Sequence, residues 1–251
     1  MNSYPRVIRI PKLGEATRLL FLMILVPCAA HAAVITHVVN VDFDNLGAPS
    51  GYNGQGAVPA AGNLWTHTSA ASLAALPDSL GGATGVGFTR TNFTNFGSIG
   101  PTNSLLQDYA FSVVPGGFSL TMNGLDPSTV YDLILYGAQD GFGGRGTLWT
   151  VTDDTGVLPS QLTDASDFSG TGFVLGSTYT IFSNLVPTAG GNLFVSGAQE
   201  AANGVSFLNG FQTRWNTTTV PEPGTIVSLF TTLLVGFAAL WRTRAREPIT
   251  N

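Results

Sequence analysis

Cysteine, lysine and histidine are scarce in this sequence, and each scarcity excludes a class of chemistry. A single cysteine, Cys28, rules out a disulfide framework and any cysteine-ligated zinc site, because both need at least two sulfurs. Only 10% of the 251 residues are charged, and Lys12 is the one lysine, which is too little Lys and Glu for a helical protein. A hydrophobic share of 44% is too high for a disordered chain, and a formal net charge of −5 excludes a basic nucleic-acid binder. No Gly-x-Ser-x-Gly, His-Glu-x-x-His or Walker-type loop occurs. What is abundant is glycine, at 31 residues, with 14 prolines, the punctuation of a turn-rich β protein.

The few basic residues are not spread evenly. Arg6, Arg9, Lys12 and Arg18 precede the apolar run 19–26, while Arg242, Arg244 and Arg246 follow a second run, 225–241. Between Ala33 and Val220 only Arg90, Arg145 and Arg214 stand against twelve carboxylates, a net of −9. The first run is followed by Pro27 and by Ala30-His31-Ala32, the order of a secretory signal, which predicts cleavage after Ala32. The second run is free of charge over seventeen residues, and as a helix at ~1.5 Å per residue it just spans a bilayer core. Trp241 anchors its end, and the three arginines place that end in the cytoplasm, so the middle of the chain is expected outside.

Directly before the second run stand Pro221, Glu222 and Pro223. Pro-Glu-Pro, then a membrane helix, then an Arg-rich stub resembles the PEP-CTERM sorting signal of exported bacterial proteins. The resemblance implies recognition and cleavage near the motif by an exosortase-type processing protease, after export through the Sec machinery and signal peptidase. It also implies a transient stay in the inner membrane, in bacteria that make extracellular polysaccharide. Two prolines cannot continue a helix and leave extended backbone for a protease to grip. The expected organisation is a signal peptide over 1–32, an exported domain over 33–215, a linker over 216–220, a sorting signal over 221–246 and a tail over 247–251.

The middle reads as short apolar alternations broken by Gly, Asn, Asp and Pro. Nine strands are predicted, over 34–43, 85–89, 109–114, 118–123, 129–138, 146–152, 173–182, 192–196 and 205–214, with no crossover helix. The expected fold is all-β, an antiparallel, jelly-roll-like β-sandwich. Leu125, Pro127 and Tyr131 between two period-two runs resemble the tyrosine corner of fibronectin-like sandwiches, which implies a tyrosine hydroxyl bonded to backbone upstream. The opening run Val39-Asn40-Val41-Asp42-Phe43-Asp44 and the closing run Phe207-Leu208-Asn209-Gly210-Phe211-Gln212 are similar to galactose-binding-like domains, in which first and last strands lie together.

Candidates for chemistry are few. His37 and His67 are the only exported histidines, one on an apolar strand and one beside Trp65, and both read as packed or surface residues. The aspartates show no pairing of the kind a glycosidase needs. Oxygen ligands for calcium are plentiful, and Asp42-x-Asp44-x-x-Gly47 has the opening spacing of an EF-hand loop, although Leu46 and Asn53 replace later ligands. Asp42 and Asp44 are therefore the metal candidates, with Ca2+ as the ion. Trp65, Asp140 and Arg145 are the ligand candidates, an aromatic platform with a polar fork for a sugar. The resulting expectation is a non-enzymatic exported surface or matrix protein that binds polysaccharide. A calcium-stabilised structural or adhesion module without a sugar site is its rival, and a glycan-acting hydrolase a distant third.

Overall fold

Alternating side chains on an extended chain give each strand one apolar face, and two such faces must meet to leave water. The structure, a computed structural model, describes residues 32–44, 52–98, 105–137, 146–164, 172–200, 204–219 and 232–236. The strands are β1 (Ala33–Asp42), β2 (Thr66–His67), β3 (Ser72–Leu73), β4 (Gly87–Thr91), β5 (Asn95–Ser98), β6 (Asp108–Ser112), β7 (Phe118–Asn123) and β8 (Tyr131–Tyr136). They continue with β9 (Thr147–Asp153), β10 (Gly156–Val157), β11 (Gln161–Thr163), β12 (Tyr179–Leu185), β13 (Leu193–Gln199), β14 (Ser206–Leu208) and β15 (Gly210–Thr219).

One sheet runs β12-β8-β15-β1-β2, a second runs β10-β9-β13-β7-β4-β3 with β11 also on β9, and a small third runs β14-β6-β5. Pairing is antiparallel except at β1–β2. The first and last strands are neighbours, and the bonds Thr36–Asn216, Asn40–Gln212 and Phe43–Asn209 show them running in opposite directions. The architecture is thus the expected all-β sandwich.

Val39, Val41 and Phe43 of the first sheet and its continuation, with Leu133, Leu135 and Phe211, face Phe88, Phe118, Leu120, Met122, Trp149 and Val195 of the second in one buried cluster. Strands β7, β9 and β13 alternate buried with less buried positions, as a half-covered sheet requires. Strand β8 is buried at nearly every position because its other face is covered too: Ile134 and Tyr136 pack against Val58, Trp65, Leu105 and Leu106 in a second cluster. At the β7–β8 link Gly124 has φ +70°, and a Cβ there would sit 1.9 Å from the Gly85 carbonyl, so only glycine fits. The Tyr131 hydroxyl accepts a bond from the Asp126 N–H, five residues upstream, at 2.9 Å.

Three expectations are corrected. The run 173–182 is strand only from Tyr179, because Gly176 at φ +77° and the bonds of Ser177 and Thr178 to the Val174 carbonyl close a turn first. The run 205–214 is two strands, since Asn209 leaves the ladder to donate to Tyr136 and accept from Phe43, handing the chain from the third sheet to the first. Short strands β2, β3, β5, β10 and β11 are additional; two to four residues leave little periodicity to read.

The chain divides into two units, residues 35–217 and residues 1–34 with 218–251. In the second, the Thr219 hydroxyl donates to the Ala33 carbonyl and residues 232–236 are helical. The remainder of the predicted membrane span 225–241, the motif Pro221-Glu222-Pro223 and Ala30 lie outside the described residues, while Ala32 is exposed. Among the described residues no helix is long and apolar enough to cross a membrane.

Candidate metal centre

On an extended strand end, residues two apart project to the same side, which is why Asp42 and Asp44 come together. Strand β2 then lies parallel to β1 with His67 opposite Asp42 in register. The His67 Nδ1 is 3.1 Å from Asp42 Oδ2 and 3.8 Å from Asp44 Oδ2, and one ligand atom from each of the three residues falls within 4.8 Å of the others. Asp108, at the start of β6, joins the group electrostatically; its chain is tied to the β1 end through Asn209, which donates to the Asp108 carbonyl and accepts from the Phe43 N–H.

Asp42 and Asp44 are 2% and 6% exposed, an expensive place for carboxylates. Burial pushes the Asp42 carboxyl above its ordinary range, against the lowering pull of His67 and the Tyr52 N–H; Asp108 adds to the rise. Asp44 is raised by burial first and by the Asp42 charge second. The hydrogen bond to Asp42 raises the His67 imidazole in turn.

The decisive feature is what remains unbonded. Asp42 Oδ1, Asp44 Oδ1 and Asp108 Oδ1 are each buried without a hydrogen-bond partner. Buried polar atoms in a native fold are nearly always satisfied, so the orphaned Oδ1 atoms of the adjacent pair Asp42 and Asp44, with the Asp108 charge acting on both, suit a positive charge between them. Two unit charges within 4.8 Å repel by more than ~3 kcal/mol at an effective dielectric of about 20, and a divalent cation would reverse that sign. The donors are hard oxygens, which suit calcium. The imidazole already bonds Asp42 Oδ2 and so orients that carboxylate from behind.

Asp42 and Asp44 were legible as metal candidates. His67 and Asp108 were not, because 25 and 66 residues separate them from Asp42 and no local pattern announces the β2 pairing or the Asn209 crossing. The EF-hand continuation is not followed: Asn53 is exposed, and Leu46 lies outside the described residues.

The sugar-binding candidates fare differently. Trp65 is 4% exposed, donates its indole N–H to the Gly54 carbonyl at 2.9 Å and meets Tyr52 edge-on, so it is a core residue and not an open platform. Trp149 is fully buried with its N–H on the Thr163 hydroxyl. Asp140 and Arg145 lie outside the described residues. Trp215 is half-buried, stacked on His37 at 5.1 Å. His37 itself is held between Asp78 and the Thr217 hydroxyl, a structural role.

No protein-family model matches the sequence, and no curated protein matches it. Among solved structures it is similar to the enzymatically active domain of tailspike protein 4 of bacteriophage CBA120, at 13% identity and a TM-score of 0.27. That match covers 51% of this chain and 19% of the other, so the chain spans about a fifth of the length of the structure it resembles.

Proposed function

We propose that this chain is an exported, C-terminally sorted, non-enzymatic β-sandwich protein of the cell surface or extracellular matrix, whose fold is clamped by one divalent cation of the calcium class. The observation that carries the cation is the pairing of two buried carboxylates, Asp42 and Asp44, each with an unbonded Oδ1, within 4.8 Å of each other and of His67. A cation there would join the end of the first strand to the short parallel strand that carries His67. Asp42 and Asp44 supply the ligand charge, Asp108 adds its field, and His67 holds the Asp42 carboxylate in place. Of the expectations drawn from sequence, this favours the calcium-stabilised structural or adhesion module over a sugar site built on Trp65, since that indole is in the core.

Export and sorting rest on the sequence features: the signal-like start with Ala30 and Ala32, and Pro221, Glu222 and Pro223 before an apolar run and three arginines. The processing protease, the signal peptidase and the inner membrane are the partners this reading requires.

One measurement tests both parts. Native mass spectrometry of the protein purified from the cell envelope or medium is expected to show a chain that begins at Ala33, ends close to Pro221 and carries one calcium. A mass that includes Met1 and Asn251 overturns the export reading. A correctly trimmed chain with no bound metal, before and after calcium addition, overturns the clamp.

A further inference from the structure

Arg90 occupies a core-facing position. On β4 the burial alternates, Phe88 in, Thr89 out, Arg90 in, Thr91 out, so the sequence puts a cation where the pattern calls for an apolar side chain. It is 8% exposed. The surrounding chain holds it with carbonyls and rings: Nε donates to the Ala70 carbonyl at 2.8 Å, Nη2 donates to the Ser69 carbonyl, and the guanidinium lies 4.9 Å from the Phe93 ring centroid and 4.7 Å from that of Phe96.

No carboxylate partners it among the described residues, although this region of the chain holds four times as many carboxylates as arginines. Arg214, by contrast, is paired with Asp132. The Nη1 of Arg90 has no acceptor among the described residues. Burying a cation is costly unless it is paired, so an arginine left without its anion at the wall of an opening is a binding group awaiting one.

Such an opening is present. A cleft of about 350 Å³ is lined by Arg90, Asn92, Phe93, Thr94, Asn95 and Phe96, and no acidic residue contributes to it. Asn92 has φ +64°, a left-handed turn residue, and its exposed side-chain amide has no partner among the described residues. The wall thus combines one buried cation, amides and a hydroxyl that bond hydroxyl groups, and the ring of Phe96 for C–H groups; Phe93 is taken up by Phe118, stacked on it at 4.4 Å, and by the Arg90 guanidinium. A single small ring bearing both a carboxylate and several hydroxyls satisfies all of these at once.

We infer that the Arg90 cleft binds a carboxylate-bearing sugar, a hexuronate residue of an acidic polysaccharide. The Arg90 Nη1 takes the carboxylate, Asn92 takes ring hydroxyls and Phe96 supplies the apolar contact, while Phe93, stacked on Phe118, backs the guanidinium. This deepens the proposed function by naming a ligand class for the surface protein, but it does not depend on the cation clamp.

The test is calorimetric titration of the mature protein, at saturating calcium, with galacturonate oligomers, neutral galactose oligomers of equal length, sodium acetate and an acidic peptide. The galacturonate oligomer is expected to bind, with the neutral oligomer at least roughly tenfold weaker because it lacks the charge-assisted bond. Arg90→Lys keeps the charge but loses the planar fork, and is expected to weaken the acidic oligomer while leaving the neutral one unchanged. Because Arg90 also ties down residues 69 and 70, Asn92→Gly is the second variant: it suits the left-handed turn, leaves the melting temperature unchanged and weakens galacturonate severalfold. Equal binding of acidic and neutral oligomers overturns the inference, as does the absence of any binding. Acetate or the acidic peptide binding as well as the uronate overturns it too, since that describes a bare anion site. Repeating the titration after chelation separates the readings: a cleft that binds in both conditions stands even if the clamp fails.

Discussion

Replacing Asp44 by Asn removes one charge from the buried cluster at the end of the first strand, and its effect on stability is expected to change sign with calcium. Without the metal, Asp44 sits near Asp42 with one oxygen unbonded, opposed by repulsion of more than ~3 kcal/mol at an effective dielectric of about 20 and partly offset by His67. The amide relieves the repulsion and much of the burial cost, so Asp44→Asn is expected to gain about 1–2 kcal/mol in chelator. At about 2–4 °C per kcal/mol for a domain of this size, its Tm rises by roughly 2–8 °C. With calcium at about a hundred times its Kd the wild type gains about 2.7 kcal/mol, or roughly 5–11 °C, while the variant gains little. The two melting curves, followed by circular dichroism with chelator and then with calcium, therefore cross over in order. A variant less stable than wild type in chelator would show that His67 already satisfies the cluster, and an equal calcium shift in both proteins would remove Asp44 from the site.

Three other perturbations follow from the same structure. Gln212 is buried, donates to Asn40 Oδ1 at 2.9 Å and the Val58 carbonyl at 3.1 Å, and accepts from the Val58 N–H and the Tyr136 hydroxyl; Gln212→Leu strands all four, and urea unfolding is expected to show a loss of about 3 kcal/mol or more. Trp65→Ala is expected to cost about 3–5 kcal/mol in the same assay and to leave uronate binding intact in the folded fraction, because the indole is in the core and distinct from the Arg90 cleft. Asp153 is pushed up by burial but pulled further down by the Thr155 hydroxyl and the Val186 and Thr155 N–H groups, so its folded carboxyl lies below the ordinary value of 3.8. Its stabilising contribution is accordingly present above that value and lost as pH falls through the lower folded one; an acid titration of wild type against Asp153→Asn reads this as a limb below pH 3.8 that the variant lacks.

The unevenness of what could be read from the chain has a physical cause. Strand β7 was legible to the residue, because Phe118, Leu120 and Met122 alternate with polar residues and only one face of that strand is covered. The end of β15 and the switch at Asn209 were not, because Asn209 breaks the ladder through bonds to Phe43 and Tyr136, residues far away in sequence. Local pattern also marked Asp42 and Asp44, while Asp108 and His67 carry no mark of their own. Trp65 shows the opposite failure, since a tryptophan in the run Gly62-Asn63-Leu64-Trp65-Thr66-His67 reads equally as platform or core until Tyr52 and Tyr136 are seen to close over it.

By itself, then, the order of residues determined the all-β class, the strand periodicity, the tyrosine corner and the segregation of basic residues to the ends. These depend on neighbours within a few positions, where sterics and side-chain alternation act directly. Which carboxylates share a buried pocket, which arginine has no carboxylate partner among the described residues and which indole is covered were decided only by tertiary structure. Burial and charge pairing are properties of distance in space, and in an antiparallel sandwich the chain brings together residues from its opposite ends.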